Sequence, residues 1–437
     1  MSGNHQTDPK ALRAGLDFPV IDSDGHWLEY GPVLVDYLRK VGGNAAVDGF
    51  LSRERNVGNT ILMSPEQRRQ ATCRAMNMYM ADAFREFADR MTPAAVIPMN
   101  MPAEAIAELE YAVKTLGLKV VVMGSLVRRP IHSLGRGGEG RGQTAWYDVL
   151  AIDSEYDYDP VWAKCVELKV APTFHSASRG LGFRQSTSNF TYNHIGHFAT
   201  AGEAVCKAIF MGGVTRRFPT LKFAFLEGGV GWACQLYADL IGHWKKRNAA
   251  ALAEVDPANL DRKQLAELLG EFAGREWANR VSEYKLVPEG EEAAAKWAAQ
   301  GSAVIDDYAA CGIEKARDIR DLFTRNFYFG CEADDPTNAW GFNASVNPYG
   351  ARLKTLFGSD IGHFDVPDMR EVLIEAHELV DDGLITRNDF RDFVFTWPVE
   401  FWGGTNPDFF KGTRVESAAQ RLIGQMAQGE VQMPSRA

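Results

Sequence analysis

Metal-capable side chains follow several short apolar runs of the sequence. The first run leads into Asp24, Gly25 and His26, and Glu29 comes three residues later. Carboxylate oxygens and imidazole nitrogens are common ligands of divalent metals. The pattern therefore predicts a cation site assembled from the ends of separate strands. Four later runs end in residues of the same kind: His175, Glu227, Glu332 and Asp360.

The spacing of the first group has a physical reason. Alternate residues of a strand face the same side, so Asp24 and His26 are predicted to point in the same direction. Gly25 between them lets another backbone pass closely. If the runs form a closed barrel, the last strand lies beside the first. Asp360 then comes close enough to share an ion with this pair.

The apolar runs alternate with helical patterns, an order typical of a parallel α/β protein. The helical pattern is clear at 102–117, where apolar residues recur at three- and four-residue spacing and Gly117 is a suitable stop. An eighth strand is expected before residue 94, near 59–63. The seven clear runs are predicted strands at residues 18–24, 94–99, 118–125, 170–176, 221–229, 326–332 and 355–360.

Eight strands with helical connections predict a (β/α)8 TIM barrel, of the α/β class, formed as one domain by residues 1–437. Such a barrel takes ~250 residues, so about 190 remain for insertions. Two helical stretches fit that role, at approximately 27–90 and 243–320, and are expected to cover the barrel mouth or to form a dimer contact. The active site of a barrel lies at the carboxyl ends of its strands, where the metal-capable residues are.

The composition excludes several classes of protein. Of the 437 residues, 46% are hydrophobic and 24% are charged, as in an ordinary globular protein. A formal net charge of −10 without a long basic run argues against nucleic-acid or membrane binding. The six cysteines form no CxxC pair. With no signal-peptide pattern and no apolar run near ~20 residues, we expect a cytoplasmic protein. We also expect that it forms a homodimer and acts on a small molecule.

The sequence resembles the amidohydrolase superfamily over residues 18–369, and in particular the amidohydrolase-related branch that includes aminocarboxymuconate-semialdehyde decarboxylase. The first strand of that family usually contains I-D-x-H-x-H. Residues 21–26 are similar, with Asp24 in place of the first histidine. Residues 212–232 resemble the sixth-strand signature, with Glu227 where a histidine often precedes two glycines. Residues 358–360 resemble the end of the eighth strand, where the aspartate is a ligand and a proton acceptor.

The resemblance implies a metal centre that holds one divalent transition metal ion. Zinc is expected first, and manganese and iron are the alternatives. A second metal stays open as an alternative and would use carboxylates such as Glu29 or Glu227. Glu29 can equally be an acidic residue at the start of a helix, stabilised there by the helix dipole. The ligands implied for the single ion are Asp24, His26, His175 and Asp360.

Two histidines and a glutamate are further candidates for catalysis. His194 and His197 follow the strand that carries His175. Either one can satisfy backbone groups of its loop, but two histidines in one short segment exceed what packing needs. Glu227, the third candidate, or one of these histidines would polarise or protonate the substrate.

Three residues are candidates for substrate binding. Arg179 is a potential anchor for a carboxylate or carbonyl, and a salt bridge within its loop is the alternative. His363 comes three residues after Asp360 and is placed to orient it. Trp232 is one of several aromatic residues expected near the barrel mouth, which suggest an apolar or aromatic substrate: Trp27, Phe174, Phe183, Trp232 and Phe364.

The leading functional hypothesis is a metal-dependent hydrolase. In it, a divalent metal activates a water molecule, and Asp360 holds the water and takes its proton. The alternative is a non-oxidative decarboxylase of an aromatic or unsaturated acid, in which protonated Asp360 delivers a proton to carbon. A third hypothesis, a barrel that only binds, is disfavoured by the number of intact ligand candidates. Both enzyme hypotheses use the same ligands, so the sequence does not choose between them.

Overall fold

A computed structural model of the protein describes residues 8–55, 65–130, 145–176, 178, 181, 185–254, 259–283 and 306–428. Within those ranges no helix has the length and apolar character needed to cross a membrane.

A sheet of parallel strands forms the centre of the fold. Its strands follow the order β1-β2-β5-β6-β7-β8, and β3 and β4 form a separate antiparallel ribbon. The strands are β1 Ala94–Ile97, β2 Val120–Met123, β3 Val127–Pro130, β4 Ala145–Asp148, β5 Pro172–Phe174, β6 Phe223–Phe225, β7 Phe327–Glu332 and β8 Lys354–Gly358.

The extended residues 21–24 add a further segment to this sheet beside its last strand. The Ser23 N–H donates to the Phe357 carbonyl at 2.8 Å, and the Ser359 N–H donates to the Asp24 carbonyl at 2.9 Å. The first predicted strand therefore lies next to β8, as the barrel hypothesis requires. The α/β class is confirmed, and each of the other six predicted runs coincides with a strand of the sheet. The eighth predicted strand, near 59–63, lies outside the described residues.

The central strands are largely apolar because both faces of the sheet are covered there, which is typical of parallel strands. All three residues of β5 and of β6 are buried, and so are all five of β8. Aromatic rings pack across the strands, with centroids 5.6 Å apart for Phe174 and Phe225 and 6.0 Å apart for Phe225 and Phe329. This packing fixes the positions of the strand ends.

The helix predicted over 102–117 is present. It begins as α4, continues as a π-helical turn at Tyr111–Thr115, and stops before Gly117, whose φ of 72° suits glycine. The helices of the described residues are α1 Pro9–Gly15, α2 Gly31–Arg55, α3 Pro65–Ala83, α4 Pro102–Glu110, α5 Asp159–Leu168, α6 Phe190–His194, α7 His197–Met211, α8 Val214–Arg217, α9 Gly231–Arg247, α10 Ala249–Glu254, α11 Arg262–Phe272, α12 Arg275–Ala278, α13 Ala316–Asn326, α14 Asn338–Phe342, α15 Val372–Asp381, α16 Arg387–Arg391, α17 Trp397–Thr405 and α18 Glu416–Gln428.

The first predicted insertion, 27–90, contains α2 and α3, which pack together around a small core of their own. That core includes Leu34, Leu38 and Tyr79. Helix α3 is also bonded to the sheet. The Asn77 side chain accepts from the Val96 N–H at 2.7 Å and donates to the Val96 carbonyl at 3.0 Å, in the manner of a neighbouring strand.

The second predicted insertion, 243–320, contains the end of α9 and the short helices α10, α11 and α12. Helices α11 and α12 pack against each other. Residues 255–258 and 284–305 of this stretch lie outside the described residues.

Candidate metal centre

Five predicted ligand and catalytic residues meet at the carboxyl ends of the strands. His175 directly follows β5, and its Nε2 lies 2.7 Å from Glu227 Oε2, two residues after β6. His26 Nε2 lies 3.5 Å from the same oxygen, and His26 Nδ1 lies 3.1 Å from Asp360 Oδ1. Asp24 Oδ2 lies 3.8 Å from His175 Nε2.

These side chains, with His363, form two groups whose ligand atoms all lie within 4.8 Å of one another. The first group is Asp24, His26 and His175, and the second is His26, Glu227, Asp360 and His363. His26 belongs to both. Such mixtures of imidazole and carboxylate donors suit zinc, manganese and iron.

Two buried atoms at the centre test whether the residues fit a cation. His26 Nδ1 and Asp360 Oδ1 are 3.1 Å apart, but their alignment does not make a hydrogen bond, and neither has another partner among the described residues. Buried polar atoms are otherwise nearly always paired. A cation bound between these two atoms would satisfy both, so the side chains fit a divalent ion.

The backbone is strained where two of the carboxylates are attached. Glu227 and Asp360 have φ values of 58° and 51°, in the left-handed region that side chains other than glycine rarely adopt. Such conformations cost of order 1–3 kcal/mol and cluster at functional sites. The strained turns after β6 and β8 bring both carboxylates within reach of His26.

Hydrogen bonds link the first segment to the loop after β8. Asp22 Oδ1 accepts from the N–H groups of Asp24 and Ser359 at 3.2 and 3.0 Å, and Asp22 Oδ2 accepts from Ser359 Oγ at 2.6 Å. The His26 N–H donates to the Ile361 carbonyl at 2.6 Å. Asp22 and Ser359 thus hold together the backbones that carry Asp24 and Asp360.

The charges of the centre favour bound positive charge. Burial raises the pKa of Asp24 to about 7. Burial alone would lower the pKa of His175, but the carboxylates of Glu227 and Asp24 outweigh it and the net shift is upward. The adjacent carboxylate of Asp360 raises the pKa of His26. The centre therefore attracts cations, whether protons or a metal ion.

A cleft of about 300 Å³ opens beside the centre, and both Glu227 and Asp360 line it. Its described lining contains no lysine or arginine. Partial burial and the neighbouring carboxylates, Asp334 first among them, raise the pKa of Glu332 to about 7. The other acidic residues of the lining are Glu332, Asp334, Asp365, Asp368, Glu371 and Glu375.

Three of the remaining predicted residues lie near the centre. His363 Nδ1 lies 2.8 Å from Asp360 Oδ2, so His363 does contact Asp360. His194, at the end of α6, lines the cleft. His197 is buried, and its ring centroid lies 4.4 Å from that of His194. The His197 carbonyl accepts a hydrogen bond from Ser178 Oγ.

Other predicted residues do not join the centre. Glu29 is exposed and belongs to neither ligand group. Trp232 lies on α9, where it packs edge-on against Phe225 and Phe329 and does not line the cleft. Phe174 is a core residue. Arg179 and Phe183 lie outside the described residues.

Asp22, Ser359 and the aromatic residues of 190–198 were not predicted from the sequence as part of the site. The alternation that grouped Asp24 with His26 also places Asp22 on the same side, so a signal for Asp22 was present. Ser359 lies inside the noted 358–360 motif. Phe190 and Phe198 lacked a signal, because their ring contacts with His194 and His175 are tertiary.

Comparison with known proteins identifies a family. The family model described as amidohydrolase matches residues 21–275, more than half of the 437-residue chain. A search among curated proteins finds no match to the chain.

Several solved structures are similar at low identity. An amidohydrolase from Mycobacterium avium subsp. paratuberculosis is 16% identical with a TM-score of 0.43, and the match covers 78% of this chain but only 65% of that one. A 2,6-dihydroxybenzoate decarboxylase from Rhizobium is 16% identical with a TM-score of 0.43, over 77% and 78% of the two chains. A dihydroxybenzoic acid decarboxylase from Polaromonas, with bound manganese and the inhibitor 2-nitroresorcinol, is 14% identical with a TM-score of 0.42, over 78% and 77%. On this family match, the chain belongs to the amidohydrolase family.

Proposed function

We propose that the chain is a divalent-metal-dependent decarboxylase of a flat, unsaturated carboxylic acid. The observation that carries this proposal is the contact of Asp360 with two imidazoles, one on each oxygen. Membership of the amidohydrolase family supports it, because the strand ends resemble a branch of that family that includes a decarboxylase. Decarboxylation therefore ranks above hydrolysis, the leading hypothesis of the sequence analysis.

The Asp360–His363 pair is suited to carry a proton from solvent to the centre. The His363 side chain is 28% exposed, and its Nδ1 lies 2.8 Å from Asp360 Oδ2. The other oxygen, Oδ1, faces His26 in the interior. Decarboxylation consumes one proton at each turnover, whereas the water of a hydrolysis supplies its own. Decarboxylation therefore requires a path for protons between solvent and the centre.

A bound divalent ion would supply Lewis-acid polarisation of a substrate oxygen and a lowered pKa of bound water. Asp24, His26 and His175 would hold it, with Glu227 and Asp360 as further ligands. In the proposed reaction the bond between the substrate carbon and its carboxylate breaks, and its electron pair stays on that carbon. Asp360 gives its proton to the same carbon, carbon dioxide leaves, and His363 restores the proton on Asp360.

Hydrolysis is the second candidate, and the charge of the cleft favours it. Six acidic residues line the cleft besides Glu227 and Asp360, and the described lining offers no arginine or lysine to a substrate carboxylate. A neutral or cationic substrate experiences no repulsion there. In that reaction Asp360 would take a proton from the attacking water.

The metal requirement is tested by elemental analysis of the purified protein. We expect about one equivalent of zinc, manganese or iron, and a decrease of at least ~10-fold in metal affinity for His26→Ala and His175→Ala. His243→Ala is the matched control, because His243 is exposed on α9 and belongs to neither ligand group. Equal metal content in wild type and in the double variant of His26 and His175 would refute the centre.

The reaction is tested with a panel of aromatic acids that begins with 2,6-dihydroxybenzoate, the substrate named for one similar structure. In deuterated water, decarboxylation releases carbon dioxide and leaves deuterium on the product carbon. In oxygen-18 water, hydrolysis would instead cleave the ester or amide derivatives of these acids, which are tested beside them, and place the label in the released acid. Asp360→Asn should retain metal but lose ~10²- to 10⁴-fold in turnover. Label from water without carbon dioxide would replace the proposal with hydrolysis.

A further inference from the structure

A series of aromatic rings leads from the surface to the metal centre. Phe364, in the loop after β8, contacts Phe190 of α6 with ring centroids 6.3 Å apart. Phe190 stacks on His194 at 5.0 Å, and His194 lies 6.4 Å from Phe198. Phe198 then meets His175 edge-on at 4.8 Å. The series ends on a side chain of the first ligand group.

The outer two rings are exposed to an extent that the fold does not require. Phe364 is 82% exposed and Phe190 is 51% exposed. They come from segments about 170 positions apart in the sequence, after β5 and after β8, and meet next to cleft residues His194 and Asp365. Core packing does not explain two phenylalanines that remain open to solvent beside a cleft.

We propose that Phe190 and Phe364 are specificity-determining residues that hold the aromatic body of the substrate at the cleft entrance. The proposal rests on the proposed function in one respect, that the substrate enters this cleft with its carboxylate directed to the metal centre. Aromatic rings prefer offset or edge-to-face contacts with other rings at 4.5–7 Å, the range already spanned by these side chains. A saturated ring of the same size lacks the π-system that makes such contacts favourable.

The choice of ligand probes follows from this difference. Benzoate and cyclohexanecarboxylate carry the same charge and nearly the same ring size, but only benzoate is aromatic. We expect the manganese-loaded wild-type protein to bind benzoate about two- to tenfold more tightly, from the free energy of an aromatic pair. Isothermal titration calorimetry measures both dissociation constants.

Phe190→Leu and Phe364→Leu remove the rings but keep an apolar side chain. Each substitution should reduce the preference for benzoate, and the double variant should abolish it, while metal content and melting temperature stay at wild-type values. Phe272→Leu is the matched control, since Phe272 is 78% exposed on α11 and is not a member of this ring series. It should keep the full preference.

Two results would overturn the inference: a wild-type protein without preference for benzoate, including one that binds neither probe, or an undiminished preference in the double variant. Failure of the proposed function is a separate result. If no acid of the panel releases carbon dioxide but the double variant loses the preference, the aromatic site stands without the reaction. If carbon dioxide is released but the preference is unchanged in the double variant, the reaction stands without the site.

Discussion

Asp22 belongs to neither candidate ligand group, yet it contacts both chain segments that carry the candidate ligands Asp24 and Asp360. Its two oxygens accept three hydrogen bonds, from the Asp24 N–H and from the N–H and hydroxyl of Ser359. Ser359 directly precedes Asp360, whose φ of 51° is costly for an aspartate. The bonds to Asp22 therefore help to maintain a backbone conformation that the local sequence would not adopt alone.

Removing these bonds should weaken metal binding. We expect Asp22→Ala to lower metal affinity about 10- to 100-fold, the usual loss when a residue that positions the ligands is removed. Asp22→Asn retains an oxygen for the two N–H groups, so its loss should be smaller. Competition with a chelator of known affinity measures the dissociation constant of each variant.

The control for this series is Asp36→Ala, since Asp36 is an exposed partner of Arg39 on α2. It should bind metal as the wild type does. If Asp22→Ala also binds metal with wild-type affinity, Asp22 does not position the ligands.

At the residue scale, the sequence predicted which residues lie at the candidate site better than it predicted their backbone conformation. Asp24, His26, His175 and Asp360 were predictable because each follows an apolar run, and barrel topology brings such ends together. Glu29 matched in type but is exposed and belongs to neither ligand group. The left-handed turns at Glu227 and Asp360 could not be predicted, because neither residue type requires that conformation and tertiary bonds maintain it.

At the scale of elements, the parallel strands were predictable and the antiparallel ribbon was not. Buried parallel strands are apolar runs, and their residues show it directly. Strand β3 instead contains two arginines and a proline, which oppose a strand prediction. It is held by Arg129, whose guanidinium donates to Asp148 Oδ2 of β4 at 2.8 Å and to Tyr158 Oη at 2.9 Å. Contacts of this kind are tertiary and leave no local pattern.

Asn77 provides a test of how the first insertion is attached to the sheet. Its fully buried amide bonds both backbone groups of Val96 and also donates to Glu108 Oε1 at 2.8 Å. In Asn77→Ala these groups lose their partner, at about 1–3 kcal/mol for each one left unpaired. We expect the free energy of unfolding in urea to fall by at least about 3 kcal/mol.

Asn44→Ala serves as the comparison, because Asn44 accepts only a surface hydrogen bond from Arg39. Its effect should stay within ~0.5 kcal/mol. A similarly small effect for Asn77→Ala would mean that water or a shift of α3 replaces the amide, and that the attachment of the insertion does not depend on it.

At the scale of the whole molecule, the two ends of the sheet have different roles. The carboxyl ends carry the candidate metal centre, and the amino ends carry a buried charge network. Lys354, the first residue of β8, donates to Glu400 Oε1 of α17 at 2.6 Å and to Tyr328 Oη at 3.2 Å. Lys222, just before β6, donates to the Glu400 carbonyl. Because this end of the sheet lies opposite the candidate site, we expect its charges to affect the stability of the fold.

The network contains two lysines and one carboxylate, so it carries an excess positive charge that burial makes unfavourable. Burial lowers the pKa of Lys222 from 10.5 to about 8, against the opposing effect of Glu400. Below pH 8 Lys222 is protonated in both the folded and unfolded states. Between pH 8 and 10.5 the folded state has lost this proton and the unfolded state still holds it. The contribution of Lys222 to stability must therefore increase as the pH rises through this window.

The measurement compares wild type with Lys222→Met by urea unfolding at pH 7, 8, 9 and 10. The variant has no titrating group at this position, so the difference in unfolding free energy isolates the lysine. Above pH 8, we expect the unfolding free energy of wild type to increase relative to that of the variant, by at most about 1.4 kcal/mol per pH unit. Lys207→Met is the control, because Lys207 pairs with Glu203 on the surface and should show no such change. A difference independent of pH would mean that Lys222 keeps its proton throughout, and that the carboxylate of Glu400 outweighs the cost of burying a second lysine.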